Sequence, residues 1–357
     1  MGRPPTDQPH GSRPCTTQVT LSQGSLALSP GAPHGSLVLV TRRSLLTQGL
    51  FLAAGAGAAV LLRDHVLWPP PTLTFEGQGG SGWLPFVNGE VDPLVNVLAG
   101  VNNTPLRALV DTGAQISVID RAFAAAHRLD RGFGAPMIAY GIGGGAQIAR
   151  GVRLSVELGG LTIHGLNAAI VDLGPLAGAS GLSTALVLGQ DALWRMAADI
   201  DFPNRRVAFH PAGEAGRLEG GRAAPVERHG RGLLASVQVE GTPMQLIVDT
   251  GATGYLALAR GAAQDAGLLA GRRLRPAESI VLGGVSEGAF MTVHSLDFAG
   301  RRWNEVEAHI FTAPPAPGFP RGLLGIEALQ GTRALLDIGA GRLDLAWSSL
   351  AKAAITP

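Results

Sequence analysis

The chain has one cysteine, Cys15, in 357 residues, so no internal disulfide can hold it together. That excludes a disulfide scaffold without fixing a cellular compartment. Charge is also scarce: charged residues make up 15% and the formal net charge is +1. Nothing in that balance points to nucleic acid or to an acidic partner. The nine histidines form no His-x-x-x-His or Cys/His grouping, so no metal site is expected. Ser180, in Gly178-Ala179-Ser180-Gly181, does not match the Gly-x-Ser-x-Gly nucleophile turn. Gly141-Ile142-Gly143-Gly144-Gly145-Ala146 fits the dinucleotide pattern in letters only. No helix signal follows it, so it reads as the tip of a hairpin and no cofactor is expected. Glycine (51) and proline (24) are plentiful, and 46% of the residues are hydrophobic. Many short strands around a sizeable core follow from that balance.

Residues 1–40 are rich in Pro, Gly, Ser and Thr without periodicity, and are expected to be disordered. Residues 41–63 read as an export signal. Arg42-Arg43 supplies a positive start, 50–62 is apolar, and small residues at 54–58 offer cleavage sites. The arginine pair resembles a twin-arginine signal. Left uncleaved, 44–62 approaches the about 18–20 residues that span a bilayer and would act as a membrane anchor. Either way the remainder is expected outside the cytoplasm, periplasmic or held at the inner membrane facing that space. Residues 64–82 have linker composition, with Trp68-Pro69-Pro70-Pro71 and the glycine run at 77–82.

From Trp83 onward one pattern occurs twice. Thr104-Pro105 leads through an apolar run to Val110-Asp111-Thr112-Gly113-Ala114. Thr242-Pro243 leads the same way to Val248-Asp249-Thr250-Gly251-Ala252. The aspartates stand 138 positions apart (249 minus 111), and Gly189 and Gly325, each ending an apolar triplet, stand 136 apart (325 minus 189). A nearly constant offset means that a whole unit is duplicated. Residues 83–210 form one lobe, 211–231 the connection and 232–349 the other. Each lobe alternates short strands with one or two short helices, and hairpins turn at Gly159-Gly160 and Ala299-Gly300. Asp201 and Asp337 also match, but on closing hairpins, where they read as structural turns.

Each Asp-Thr-Gly lies where a buried strand gives way to a residue that turns sharply. If the halves pack about a pseudo-twofold axis, Asp111 and Asp249 meet. Two such carboxyl groups share a proton and titrate as a pair. One can then serve as general base on a water and the other as general acid toward a carbonyl. Gly113 and Gly251 let the backbone turn, and Thr112 and Thr250 carry hydroxyls able to bond across to the opposite loop.

On these residues the chain resembles the retropepsin-like aspartic peptidases over about 90–347. The resemblance rests on the two Asp-Thr-Gly-Ala motifs and on Val187-Leu188-Gly189 and Leu323-Leu324-Gly325. It implies an all-β fold of two closed or barrel-like lobes related by a pseudo-twofold axis, with few short helices. It implies Asp111 and Asp249 as catalytic, Thr112, Gly113, Thr250 and Gly251 as their support, and a flap at Tyr140, Gly141, Ile142, Gly143 and Gly144 over a peptide or protein substrate. Since both halves lie in one chain, the active unit is expected to be a monomer. A peptide-binding scaffold on the same fold is the alternative. It would need neither carboxylate.

Overall fold

The computed structural model describes residues 69–77, 79–89, 92–131, 134, 136–140, 146–178, 183–281, 284–311 and 321–348. The expected disordered extension, the export segment and the flap tip at Gly141, Ile142, Gly143 and Gly144 lie outside them. No helix among the described residues is long and apolar enough to cross a membrane.

The first lobe begins with β1 (Thr72–Phe75), β2 (Leu84–Pro85), β3 (Asn96–Val101) and β4 (Thr104–Val110). It continues with β5 (Ser117–Asp120), α1 (Arg121–Ala126), β6 (Pro136–Tyr140), β7 (Ala146–Leu158) and β8 (Leu161–Val171). After a 3-10 turn (Gly174–Leu176) come β9 (Thr184–Leu188), α2 (Gln190–Leu193), β10 (Met196–Asp201) and β11 (Arg206–Pro211). The second lobe repeats the order. It has β12 (Arg222–Ala223), β13 (Val226–His229), β14 (Gly232–Val239), β15 (Thr242–Asp249), β16 (Leu256–Ala259) and α3 (Arg260–Asp265). Then follow β17 (Arg275–Val281), β18 (Gly284–Phe298), β19 (Arg301–Phe311), β20 (Gly322–Gly325), a 3-10 turn (Ile326–Ala328), β21 (Thr332–Asp337) and β22 (Arg342–Trp347).

In the first lobe the strand order β8-β5-β9-β4-β3-β7 closes on itself because β7 also pairs with β8. In the second, β14-β15-β20-β16-β19-β18 closes through β14 and β18. Closure leaves neither barrel with an open edge along its ring. The hairpins are antiparallel, but β4–β9, β5–β8, β15–β20 and β16–β19 run parallel. The β4–β9 and β15–β20 pairs set the strand leading to each aspartate beside the strand that runs into Gly189 or ends in Gly325.

Two boundaries differ from the sequence reading. Thr72–Phe75 lies inside the stretch read as linker, yet it forms β1 and pairs with β8, Leu73 opposite Ile163 and Phe75 opposite Leu161. The globular part thus begins before Trp83, because Thr-Leu-Thr-Phe alternates and finds a long-range partner that local composition does not reveal. The connection 211–231 is not bare linker either: β12 pairs with β22, and β13 adds to the second lobe's sheet through β14.

The closing hairpins join the lobes. β10 pairs with β21 from Ala197 opposite Asp337 to Asp201 opposite Arg333, giving a six-stranded sheet shared by both halves. Its side chains alternate. Met196, Ala198, Ile200, Ala334, Leu336, Leu343 and Leu345 face the main core, while Asp199, Asp201, Asp337 and Asp344 occupy the other phase. Asp199 takes a two-point hydrogen bond from Arg333 across the lobe boundary, at 2.8 and 2.6 Å. Asp201 accepts from Asn204 and Arg206, and Asp337 from Gly213 N and Ala340 N, so both fix turns as expected.

Candidate active site

Asp111 follows β4 and Asp249 ends β15, each beside the parallel strand of its own lobe. Asp111 N donates to Leu188 O at 3.0 Å. Asp249 lies in register with Gly325. Beyond each aspartate the chain turns back on its own carboxylate. Gly113 N and Ala114 N donate to Asp111 Oδ1 at 2.8 and 3.0 Å, and Gly251 N donates to Asp249 Oδ1 at 2.8 Å.

The two threonines are buried, Thr112 at 3% exposure and Thr250 at 0%. Their hydroxyls cross between lobes. Thr112 Oγ1 donates to Val248 O at 2.7 Å and accepts from Thr250 N at 3.1 Å. Thr250 Oγ1 donates to Val110 O at 2.7 Å and accepts from Thr112 N at 3.1 Å. Each hydroxyl thus satisfies two buried backbone groups that the turn would otherwise orphan. These four bonds are the same bonds exchanged twice, which is the local signature of the pseudo-twofold axis.

The axis brings the carboxyl groups of Asp111 and Asp249 into hydrogen-bond contact. A Cβ placed on Gly113 would overlap the Asp249 carboxylate, and one on Gly251 would overlap that of Asp111. Glycine is therefore required here for close approach, not only for the turn. Burial raises the pKa of Asp111 above the ordinary carboxylate value, against the opposing pull of its hydrogen bonds. Asp249 is raised further, first by burial and then by the negative charge of Asp111 beside it. The two carboxyl groups accordingly share a proton and titrate as a pair.

A second layer holds the first loop from behind, and the sequence reading passed over it. Ser117 N and Ser117 Oγ both donate to Asp191 Oδ1, at 2.9 and 2.7 Å, and Ser117 Oγ accepts Gly189 N at 3.0 Å. Gln190 Nε2 donates to Thr112 O at 2.7 Å. The signal for these residues was their place, directly after the apolar triplet ending in Gly189 and six positions after Asp111.

Tyr140 ends β6, paired with Ala146 of β7, so it stands at the base of the hairpin whose tip was read as a flap. In the second lobe β17 and β18 form the matching hairpin, with Val281 opposite Gly284. Among the described residues no group of acidic, histidine or cysteine side chains could hold a metal ion.

The family model described as aspartyl protease matches residues 97–192 and 235–328, one segment in each lobe and together more than half of the chain. Among solved structures, a retropepsin-like aspartic protease from Rickettsia conorii is 21% identical, with 36% of this chain and 97% of that one covered and a TM-score of 0.27. An aspartic proteinase from Irpex lacteus is 16% identical, with 77% and 99% covered and a TM-score of 0.45. No protein of curated function matches the sequence. The two-segment match sets one Asp-Thr-Gly loop in each lobe, and the chain belongs to the aspartyl protease family.

Proposed function

We propose that the protein is an aspartic endopeptidase that hydrolyses peptide bonds by a water activated between Asp111 and Asp249. The observation that carries this reading is the pair itself: two buried carboxyl groups in contact, close enough to share one proton, held by the crossed threonines. In the first step the water oxygen attacks the scissile carbonyl carbon while Asp111 takes a water proton and Asp249 gives its proton to the carbonyl oxygen. The product is a neutral gem-diol. In the second step Asp249 takes back a hydroxyl proton, the C–N bond breaks, and Asp111 passes its proton to the departing nitrogen. The pair ends as it began, with one proton on Asp249, and no covalent intermediate forms.

A single chain supplies both aspartates, so the active unit in this reading is one molecule. Export through 41–63 belongs to the same proposal, which puts the lobes on the far side of the inner membrane with exported or surface proteins as substrates. The test is incubation of the purified protein with a peptide library across pH, beside Asp111→Asn and Asp249→Asn. Cleavage by the wild type and none by either variant is expected. Cleavage that survives in a variant would place the base elsewhere. Peptide binding without cleavage by the wild type would favour the scaffold alternative.

A further inference from the structure

The two loops that bear the aspartates are not held alike. In the second lobe the 249–255 loop is tied back by backbone alone: Gly325 N to Tyr255 O at 2.9 Å, Ile326 N to Ala252 O at 2.9 Å and Glu327 N to Gly254 O at 3.2 Å. In the first lobe the bond from Gln190 N to Ala114 O, at 2.8 Å, is kept. The glycine amide, however, is met by a side chain. Ser117 Oγ accepts Gly189 N and hands its own proton to Asp191 Oδ1, which also takes Ser117 N and Ala192 N. Ser117 is fully buried. The matching residues of the second lobe are Tyr255 (138 after Ser117) and Glu327 (136 after Asp191), and there Glu327 acts on Tyr255 through its charge.

We propose that Ser117 and Asp191 are positioning residues for Asp111: a side-chain clasp, built into the first lobe only, that fixes the Asp111–Ser117 loop against α2 and so sets where the Asp111 carboxylate stands. The clasp closes a ring of bonds. From Asp111 the chain runs to Ser117, across the Ser117–Asp191 bond to α2, and back through Leu188 O to Asp111 N. Gln190 Nε2 on Thr112 O braces the same ring from inside. With the ring closed, the amides of Gly113 and Ala114 stay aimed at Asp111 Oδ1 and hold that carboxylate as the charged partner. The charged group facing Asp191 from the other lobe is Arg231, in the turn between β13 and β14, which also stands over the Trp194 ring at 5.3 Å.

The inference rests on the reading of Asp111 as half of the catalytic pair, so the experiment has one arm that needs activity and one that does not. Ser117→Ala and Asp191→Ala open the ring, while Asp191→Asn keeps an Oδ1 that accepts all three donors. Displacing a reacting group by about 1 Å costs about 100-fold in rate. The expected result is a fall in kcat of about 10- to 100-fold for both alanine variants, KM within about twofold of wild type, and recovery in Asp191→Asn. A change in KM alone would overturn the proposal. So would alanine variants with wild-type kcat, or an asparagine variant as damaged as the alanine one. The second arm is amide hydrogen exchange at Gly113 and Ala114, read on the same proteins. Protection should fall in the alanine variants and hold in Asp191→Asn. Equal protection in all of them overturns the clasp even if no peptide is ever cleaved, and that lack of cleavage would instead sink the peptidase reading.

Discussion

Replacing Thr112 by valine keeps the shape of the side chain and removes its hydroxyl. Two buried backbone groups lose their partners at once: Val248 O its donor at 2.7 Å, and Thr250 N its acceptor at 3.1 Å. Both sit in the lobe junction, where Thr112 and Thr250 are almost wholly shielded from water. A buried polar group left unsatisfied costs about 1–3 kcal/mol, so two of them cost about 2–6 kcal/mol. The extra methyl contact of valine returns about 1 kcal/mol at most. Thr112→Val should therefore destabilise the protein by about 3 kcal/mol, a large share of the about 5–15 kcal/mol a domain has in total. Thr112→Ser keeps both bonds, loses one methyl group, and should cost about 1 kcal/mol. The assay is denaturant unfolding of the two variants, comparing midpoints at unchanged slope. The same contrast should appear in catalysis, with kcat falling far more in the valine variant because the loops it ties carry the two carboxylates. A valine variant within about 0.5 kcal/mol of the serine one would refute the reasoning, since the crossed bonds would then contribute nothing net.

Three other outcomes follow from the site. Asp249 is raised well above the ordinary carboxylate value by burial and by the charge of Asp111. Its favourable contribution is therefore full below the unfolded value of about 3.9 and is lost as pH rises through the folded one. Asp249→Asn, neutral at every pH, should melt higher than wild type at neutral pH and close to it in strong acid, while losing all hydrolysis; the opposite order of melting temperatures would exclude a protonated Asp249. Gly113→Ala puts a methyl group into the Asp249 carboxylate and should separate the pair, with peptide turnover reduced at least 100-fold and the pH–rate profile distorted; turnover within tenfold of wild type would show that the loops yield cheaply. Ala114→Ser adds a hydroxyl donor within reach of a carboxylate that already takes the Ala114 amide, which lowers the pair's pKa and should move the acidic limb of the pH–rate profile downward; an upward move counts against it.

The aspartate pair was legible in the sequence because the duplication announces itself. One Asp-Thr-Gly is a turn, but two in matched surroundings at a constant offset define an axis, and an axis implies the carboxylates meet. The threonine crossing followed from chemistry, since a buried loop needs acceptors and donors from somewhere. What stayed hidden depended on partners far apart in the chain. β1 carries its alternation over four residues inside a Pro- and Gly-rich stretch, and only β8, across the fold, makes it a strand. The shared sheet was invisible for the same reason: Ala197 and Asp337 are neighbours in space and 140 positions apart (337 minus 197). Ser117 and Asp191 stayed hidden as partners, because nothing local says that a hydroxyl will replace a backbone carbonyl as the acceptor for Gly189.

That replacement bears on why the two halves of one chain have drifted apart. If the lobes were identical, the axis would make Asp111 and Asp249 equivalent, and the proton would have no preferred seat. Joined in one chain, each lobe can change alone, and these have. Asp120 caps α1 through Ala122 N and Phe123 N and also holds Leu173 N, whereas Ala259 offers α3 no side-chain cap. β1 flanks the first barrel with no counterpart on the second among the described residues. The Ser117–Asp191 clasp stiffens only the loop behind Asp111. Burial raises the pKa of both carboxyl groups, and that of Asp249 further, so the two halves of the pair are not equivalent. A pair that presents one base and one acid at the same moment gains from such a difference, because fewer molecules then wait with the two roles exchanged.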